Sequence, residues 1–369
     1  MPLNLGIVGL PNVGKTMIFS ALTSTIAESA NYNFSTINPN IGTVNVPDKR
    51  LKRLTEIYKP KKEVHNTIEF VDIAGLAKGA SKGEGMGNKF LAHIRQVGAV
   101  VQVIRCFDDD DVMHCEDTID PLRDIETIEL ELAFSDLETV TNRLDKLSKF
   151  LRSNDMQVRA KAKQAEPLLL ELQETLNEGK AIRTLELSQD KIDLVKDLNL
   201  ITLKKMIYCC NIDENSLEED NDYVKAVRKY GAENNCEVVS ICGKLEAEIA
   251  QLESEEERTE FLESLGLKES GLNQLIRAGY KCLDLESFFT GGEDETRAWT
   301  FKKGSTAPQC AGVIHSDFQR GFIKAAIFHC DELFALGSEQ AIKDAGKLRI
   351  EGKEYIVKDG DVIHFRFNV

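Results

Sequence analysis

Gly9-Leu-Pro-Asn-Val-Gly14-Lys15-Thr16 stands directly after an apolar run, Leu3 to Gly9, and directly before a helical one. In that context the spacing GxxxxGK[ST] is a phosphate-binding loop. Its glycines let backbone N–H groups, with Gly9, Asn12, Val13, Gly14 and Met17 in the cradle, close around phosphate oxygens at a helix N-terminus. Lys15 brings a point charge to the β- and γ-phosphates, and Thr16 brings an oxygen to Mg²⁺.

Asp72-Ile-Ala-Gly75 ends a second apolar run, Thr67 to Asp72. An Asp there holds Mg²⁺ through water, and the Gly75 N–H senses the γ-phosphate. DxxG is informative only because a phosphate loop precedes it. Thr36, between the first helix and that strand, is the natural loop hydroxyl for closing the metal's shell around a triphosphate. Taken alone it reads as a solvated loop threonine.

Leu76 follows this Gly where a Ras-type protein carries the glutamine that orients the attacking water. An aliphatic side chain cannot orient water, so the catalytic group must come from elsewhere. His114, in the acidic loop Asp108 to Asp120, is one candidate, because histidine orients water and, when protonated, counters developing charge. The other reading of His114 is a solvated loop histidine, and His93 is a rival.

Asn211-Ile-Asp-Glu214 follows the apolar run Lys205 to Cys210, where a guanine-selective protein places NKxD. The Asp of that motif accepts two hydrogen bonds from guanine. Ile212 stands here for the Lys and Glu214 for the Asp, while adenine offers an acceptor at N1, so the departure argues for ATP. Glu214 accepting guanine at longer reach is the alternative. Phe107 and Ile212 offer apolar surface to a base, or belong to the core.

These groups need a scaffold. Five apolar runs, Leu3 to Gly9, Thr67 to Asp72, Ala99 to Phe107, Lys205 to Asn211 and Glu237 to Cys242, predict a parallel-rich α/β sheet. A long helical segment interrupts it. Leu130, Leu137, Leu144 and Leu151 recur every seven residues, with Phe134 at the matching position, and Val158, Ala162, Ala165, Leu169, Leu172 and Leu176 form a second arm ending near Gly179. The spacing predicts an antiparallel helical hairpin turning near Ser153 to Met156. The expected organisation is a nucleotide-binding domain over 1–127 and 204–280, an inserted hairpin over 128–203 and a small α+β domain over 281–369.

The 369 residues suit two or three domains, and 42% hydrophobic with 29% charged residues excludes a disordered tail or a fibre. A net charge of -15 argues against coating nucleic acid or membrane with the whole surface. The last domain carries only -2 of it, which suits a docking module. Without a basic, apolar leader or an 18-residue apolar span, the expectation is a cytoplasmic protein with no membrane contact. Nine cysteines without a CxxC pair support neither zinc nor a disulfide framework.

GLPNVGKT, DIAGL with KGASKGEGMGN behind it, and NIDE together make the chain resemble the Obg-like ATPase family, YchF subfamily. RAWTFKKGSTAPQCAGVIHSDFQRGFIKA and YIVKDGDVIHFRFNV resemble the ubiquitin-like β-grasp module called TGS. The resemblance covers nearly the whole chain. It implies a P-loop ATPase of the GTPase superfamily that prefers ATP, associates with ribosomes and serves translation and stress responses. It also implies that Leu76 replaces the catalytic glutamine, that the histidine matching His114 supports hydrolysis, and that Asn12 holds K⁺. Cys242-Gly243-Lys244 matches the family's last nucleotide loop, which meets the base through backbone.

Two basic stretches are candidates for the RNA-facing surface this implies: Lys49 to Lys62, with seven basic residues, and the hairpin between Arg143 and Lys163. Ordinary solvated helix faces are the alternative. The expected assembly is a monomer that joins larger particles. A GTP-driven translation factor and a binding protein merely stabilised by nucleotide are the competing readings.

Overall fold

The computed structural model describes residues 3–24, 40–73, 85–109 and 118–368. Two compact units result, one of Met1–Gly42 with Glu69–Gly279, the other of Thr43–Ile68 with Tyr280–Val369. Thr36, Gly75, Leu76 and His114 lie outside the described residues.

The first unit centres on a sheet in the order β2-β4-β1-β5-β6-β7. Its strands are β1 (Asn4–Gly9), β2 (Ile41–Asn45), β4 (Thr67–Asp72), β5 (Ala99–Arg105), β6 (Met206–Asn211) and β7 (Glu237–Ile241). β4, β1, β5, β6 and β7 run parallel. The five apolar runs of the sequence are these five strands. β5 and β6 are buried along their whole length, as expected of central parallel strands covered on both faces. The helices are α1 (Lys15–Ser24), α3 (Gly85–Gln96), α7 (Asp222–Glu233), α8 (Gly243–Ile249), α9 (Glu255–Ser264) and α10 (Gly271–Cys282), with α4, α5 and α6 in the insertion.

α4 (Pro121–Leu151) and α5 (Met156–Asn177) form the hairpin, and α6 (Gln189–Val195) packs beside α5. Asp120 caps α4 ahead of Pro121, and Asp155 caps α5 by accepting from the Gln157 and Val158 N–H groups. The left-handed Gly179 follows the end of α5. One expectation fails. Leu130 and Phe134 are 42% and 54% exposed, whereas the buried seam of α4 runs Ala133, Leu137, Val140, Leu144, Leu147, Leu151. Alternating steps of four and three put Ala133, not Phe134, beside Leu137 on the inner face. On α5 the seam holds Ala162, Ala165, Leu169, Leu172 and Leu176, while Val158 is exposed.

The second unit carries a sheet in the order β11-β10-β12-β8-β9-β3. Its strands are β3 (Lys62–Val64), β8 (Leu285–Thr290), β9 (Glu295–Lys302), β10 (Phe322–His329), β11 (Arg349–Glu351) and β12 (Asp361–Phe367). β12 lies parallel to β8 between two antiparallel pairs, a β-grasp arrangement, and β3 adds a parallel strand at the β9 edge. Alternation along the strands separates two cores. Phe288, Ile327 and Ile363 meet α11 (Ala307–Ile314), which α12 (Ser316–Arg320) follows. Their neighbours Phe289, Phe328 and Val362 meet α2 (Lys49–Tyr58) and α13 (Cys330–Leu336), with α14 (Glu339–Asp344) behind. No motif in the sequence announces that Thr43–Ile68 belongs to this unit.

Candidate nucleotide site

Parallel register brings the candidate residues to one edge of the first sheet. Ile7 is level with Asp72, and Arg105 with Asn211, so Gly9, Asp72, Asn211 and Cys242 all stand at carboxyl ends of strands. That edge is where open α/β sheets bind ligands.

The turn between β1 and α1 encloses a cleft of about 500 Å³ lined by Leu10, Pro11, Asn12, Gly14, Lys15, Thr16 and Met17. Asn12 and Gly14 adopt positive φ, 64° and 92°, the kind of left-handed position from which backbone anion cradles are built. Gly9 packs tightly, since a Cβ there would meet the Val103 carbonyl at 2.9 Å. Val13 points away from the cleft into the core. Thr16 and Met17 are exposed at the first turn of α1.

The Lys15 ammonium pairs with the Asp72 carboxylate. Asp72 is held by its own backbone, whose N–H donates to the Asn40 carbonyl at 2.8 Å. Thr16 and Asp72 therefore offer a hydroxyl and a carboxylate in one region, hard oxygen donors of the kind Mg²⁺ takes. The residues present fit that ion, and the ammonium on Asp72 shows that the carboxylate attracts a cation.

Asn211 is buried and bonded at both ends of its amide. Its Nδ2 donates to the Val13 carbonyl and its Oδ1 accepts from the Gly243 N–H, both at 3.0 Å. Its own carbonyl accepts from the Cys106 N–H at 2.8 Å. Ile212 is buried too, with its N–H donating to the Ile241 carbonyl at 2.9 Å. Phe107 is half-buried under the Arg105 guanidinium, 4.8 Å from the ring centre. Cys242 is buried at the start of α8, and burial raises its thiol pKa. His93 is exposed on α3.

Two features escaped the sequence. Glu214 forms an ion pair with Lys244 at 2.8 Å, and a separation of thirty residues along the chain leaves no local pattern that announces it. Glu246, buried on α8, accepts from the Gly271 N–H at 2.6 Å and caps α10. Burial raises its carboxyl pKa to about 7. A charged residue in an amphipathic helix gives no signal of such burial.

Known proteins match along the whole chain. Residues 4–143 match a family model described as a 50S ribosome-binding GTPase, and residues 285–368 the YchF GTPase C-terminal family, described as a protein of unknown function, DUF933. The "Ribosome-binding ATPase YchF" of Bacillus subtilis is 52% identical, and that of Escherichia coli O157:H7 47%, with 100% of both chains covered in each case. A solved structure of the Schizosaccharomyces pombe YchF GTPase superposes with a TM-score of 0.89 at 39% identity, covering 99% of this chain and 97% of that one.

Proposed function

The chain belongs to the YchF family, and from that premise we propose that it is a ribosome-associated regulatory ATPase that prefers ATP to GTP. The observation that carries the reading is the phosphate loop with Lys15 already drawn to Asp72 at its mouth. When the nucleotide arrives, Lys15 exchanges the carboxylate for β- and γ-phosphate oxygens. Mg²⁺, when bound, neutralises phosphate charge; Thr16, Thr36 and, through water, Asp72 are its ligands. The backbone of Asn12 to Met17 with Gly75 holds the phosphates, and Asn12 is the ligand for K⁺.

The preference for ATP is supported by the base end of the site. Ile212 is buried where a guanine reader has a lysine, and the Glu214 carboxylate faces an ammonium. A carboxylate already paired in this way has less to offer guanine's two donors. Asn211, Phe107 and Cys242 frame the base. Leu76 cannot orient water, so His114 does so. ATP orders the loops bearing Thr36 and Gly75, hydrolysis releases them, and the hairpin and the TGS-like C-terminal module report the change to the ribosome in the cytoplasm. The working unit is a monomer.

The test is equilibrium binding of ATP and GTP, with Mg²⁺ and K⁺, to the wild type and to an Ile212→Lys, Glu214→Asp double variant. Tighter ATP binding by the wild type, shifting toward GTP in the variant, is expected. Equal or GTP-favoured binding by the wild type overturns the preference and leaves a GTP-driven factor.

A further inference from the structure

The turn end of the hairpin carries charge opposite to that of the chain. Between Arg143 and Lys163 seven basic residues accompany two acidic ones, Asp145 and Asp155, in a protein of net charge -15. Asp155 is occupied in capping α5, and among the described residues Arg143 alone of the seven pairs with a carboxylate, that of Asp197. Lys146, Lys149, Arg152, Arg159, Lys161 and Lys163 are all exposed, and none of them meets a carboxylate among the described residues.

The other basic stretch, Lys49 to Lys62, has a different fate within the second unit. Arg50 is held by Asp48 and Asp359, Arg53 lies over the Phe334 ring, and Lys61 pairs with Asp294. Three of those seven cations are engaged within the unit, while Lys49, Lys52, Lys59 and Lys62 meet no carboxylate among the described residues; in the hairpin one of seven is engaged and six remain available around a single turn. The sequence alone does not separate the two cases.

Large side chains accompany the free cations. Phe150, Met156 and Val158 are 37%, 74% and 38% exposed around the turn. Three scattered apolar groups among six cations do not make the apolar core of a protein–protein interface. They suit a polyanion whose unpaired bases present a face to an aromatic ring.

We propose that the turn end of this hairpin docks on RNA, gripping the phosphate backbone without reading sequence. The inference rests on the ribosome-associated reading and deepens it by assigning the contacting surface and the class of partner. Each cation that neutralises a phosphate releases a condensed counterion, so with up to six contacts log K falls with log salt at a slope of roughly -4 to -5.

The experiment compares the full-length wild type with a Lys146→Gln, Lys149→Gln, Arg152→Gln variant, and with a second variant carrying Arg159→Gln, Lys161→Gln and Lys163→Gln. Three readouts are taken: co-sedimentation with ribosomes, fluorescence anisotropy on protein-free ribosomal RNA from 50 to 200 mM KCl, and ATP binding as a control for folding. Binding to both particles that weakens at least tenfold in each variant, with a shallower salt slope and unchanged ATP affinity, is the expected result. If the wild type binds RNA through these residues but does not sediment with ribosomes, the docking surface stands and the ribosomal reading fails. If both variants sediment like the wild type, the hairpin is not the docking surface, although the ribosomal reading survives. Ribosome binding that depends on these residues, without any affinity for protein-free RNA, would make the partner an acidic protein and overturn the proposal.

Discussion

Asn211 braces Val13: one side-chain amide donates to the carbonyl of the phosphate loop and accepts from the N–H that opens α8. Only a side chain with both a donor and an acceptor satisfies both neighbours. Asn211→Asp keeps the shape but sets an anionic oxygen against the Val13 carbonyl in a buried site. A buried group left unpaired costs about 1 to 3 kcal/mol, so nucleotide binding weakens roughly tenfold and Tm falls. Calorimetric titration beside thermal unfolding checks both, and an unchanged nucleotide affinity would remove Asn211 from the loop's support.

Gly14 answers the same amide from the other side. A Cβ at Gly14 would stand 2.2 Å from Asn211 Nδ2, and its φ of 92° is one that L side chains rarely adopt. Gly14→Ala therefore moves the loop whatever the ligand. Binding of ATP, ADP and GTP should fall together by tenfold or more, which a competition assay resolves. Loss confined to one base would contradict a purely backbone cause.

How far these relations are legible in the sequence depends on their range. Five of the six strands of the first sheet, and the placement of the phosphate loop and Asp72 at strand ends, are legible, because a β-run that ends in Gly or Asp at a strand's carboxyl edge has a fixed geometric consequence. On the α4 seam Leu137, Leu144 and Leu151 are legible from their seven-residue spacing, whereas Ala133 is too small to stand out beside the exposed Phe134. The Glu214–Lys244 pair and the burial of Glu246 depend on which helices meet after folding, and no local period encodes that. Thr43–Ile68 likewise joins β9 through β3 across more than two hundred residues of chain.

Lys15→Ala should leave the fold intact while removing a charge-assisted contact to phosphate. Such contacts contribute about 1.5 to 3 kcal/mol, so ATP affinity falls roughly tenfold to a hundredfold. Hydrolysis should fall further, because charge builds on the transferred phosphoryl group. Single-turnover hydrolysis at saturating ATP separates the two effects. Wild-type turnover in the variant would refute the assigned site.

Glu246 makes stability depend on pH. Its folded pKa of about 7 lies above the ordinary 4.5, and burial is the largest cause. Between those values the folded chain keeps a proton that the unfolded chain has lost, so stability is lost as pH rises through that window. Glu246→Gln should keep the acceptor for the Gly271 N–H and remove the titration. Urea unfolding at pH 5 and pH 8 is expected to show the wild type losing up to about 3 kcal/mol more than the variant. Equal losses in the two proteins would show that this carboxyl is not the titrating group.

Arg95 joins the helix that follows the Asp72 loop to the base of the hairpin. At the end of α3 its guanidinium donates to Ser135 Oγ and Thr139 Oγ1, each at 3.1 Å, and to the Asn199 carbonyl at 2.9 Å. It also lies 3.5 Å from the fully buried Asp136, whose other oxygen takes the Thr202 N–H and hydroxyl. Burial raises the Asp136 pKa, so this carboxylate depends on its partners. Any displacement of α3 with nucleotide state thus pulls on α4 directly. Arg95→Ala should cost about 1 to 3 kcal/mol of stability from unpaired buried groups, yet leave ATP affinity within about threefold, because the residue is remote from the phosphate loop in the chain of contacts. Hydrogen exchange in α4 and α5 should differ between the ATP and ADP states of the wild type and coincide in the variant. A variant in which the nucleotide still alters hairpin exchange as in the wild type would mean that the signal reaches the hairpin by another route.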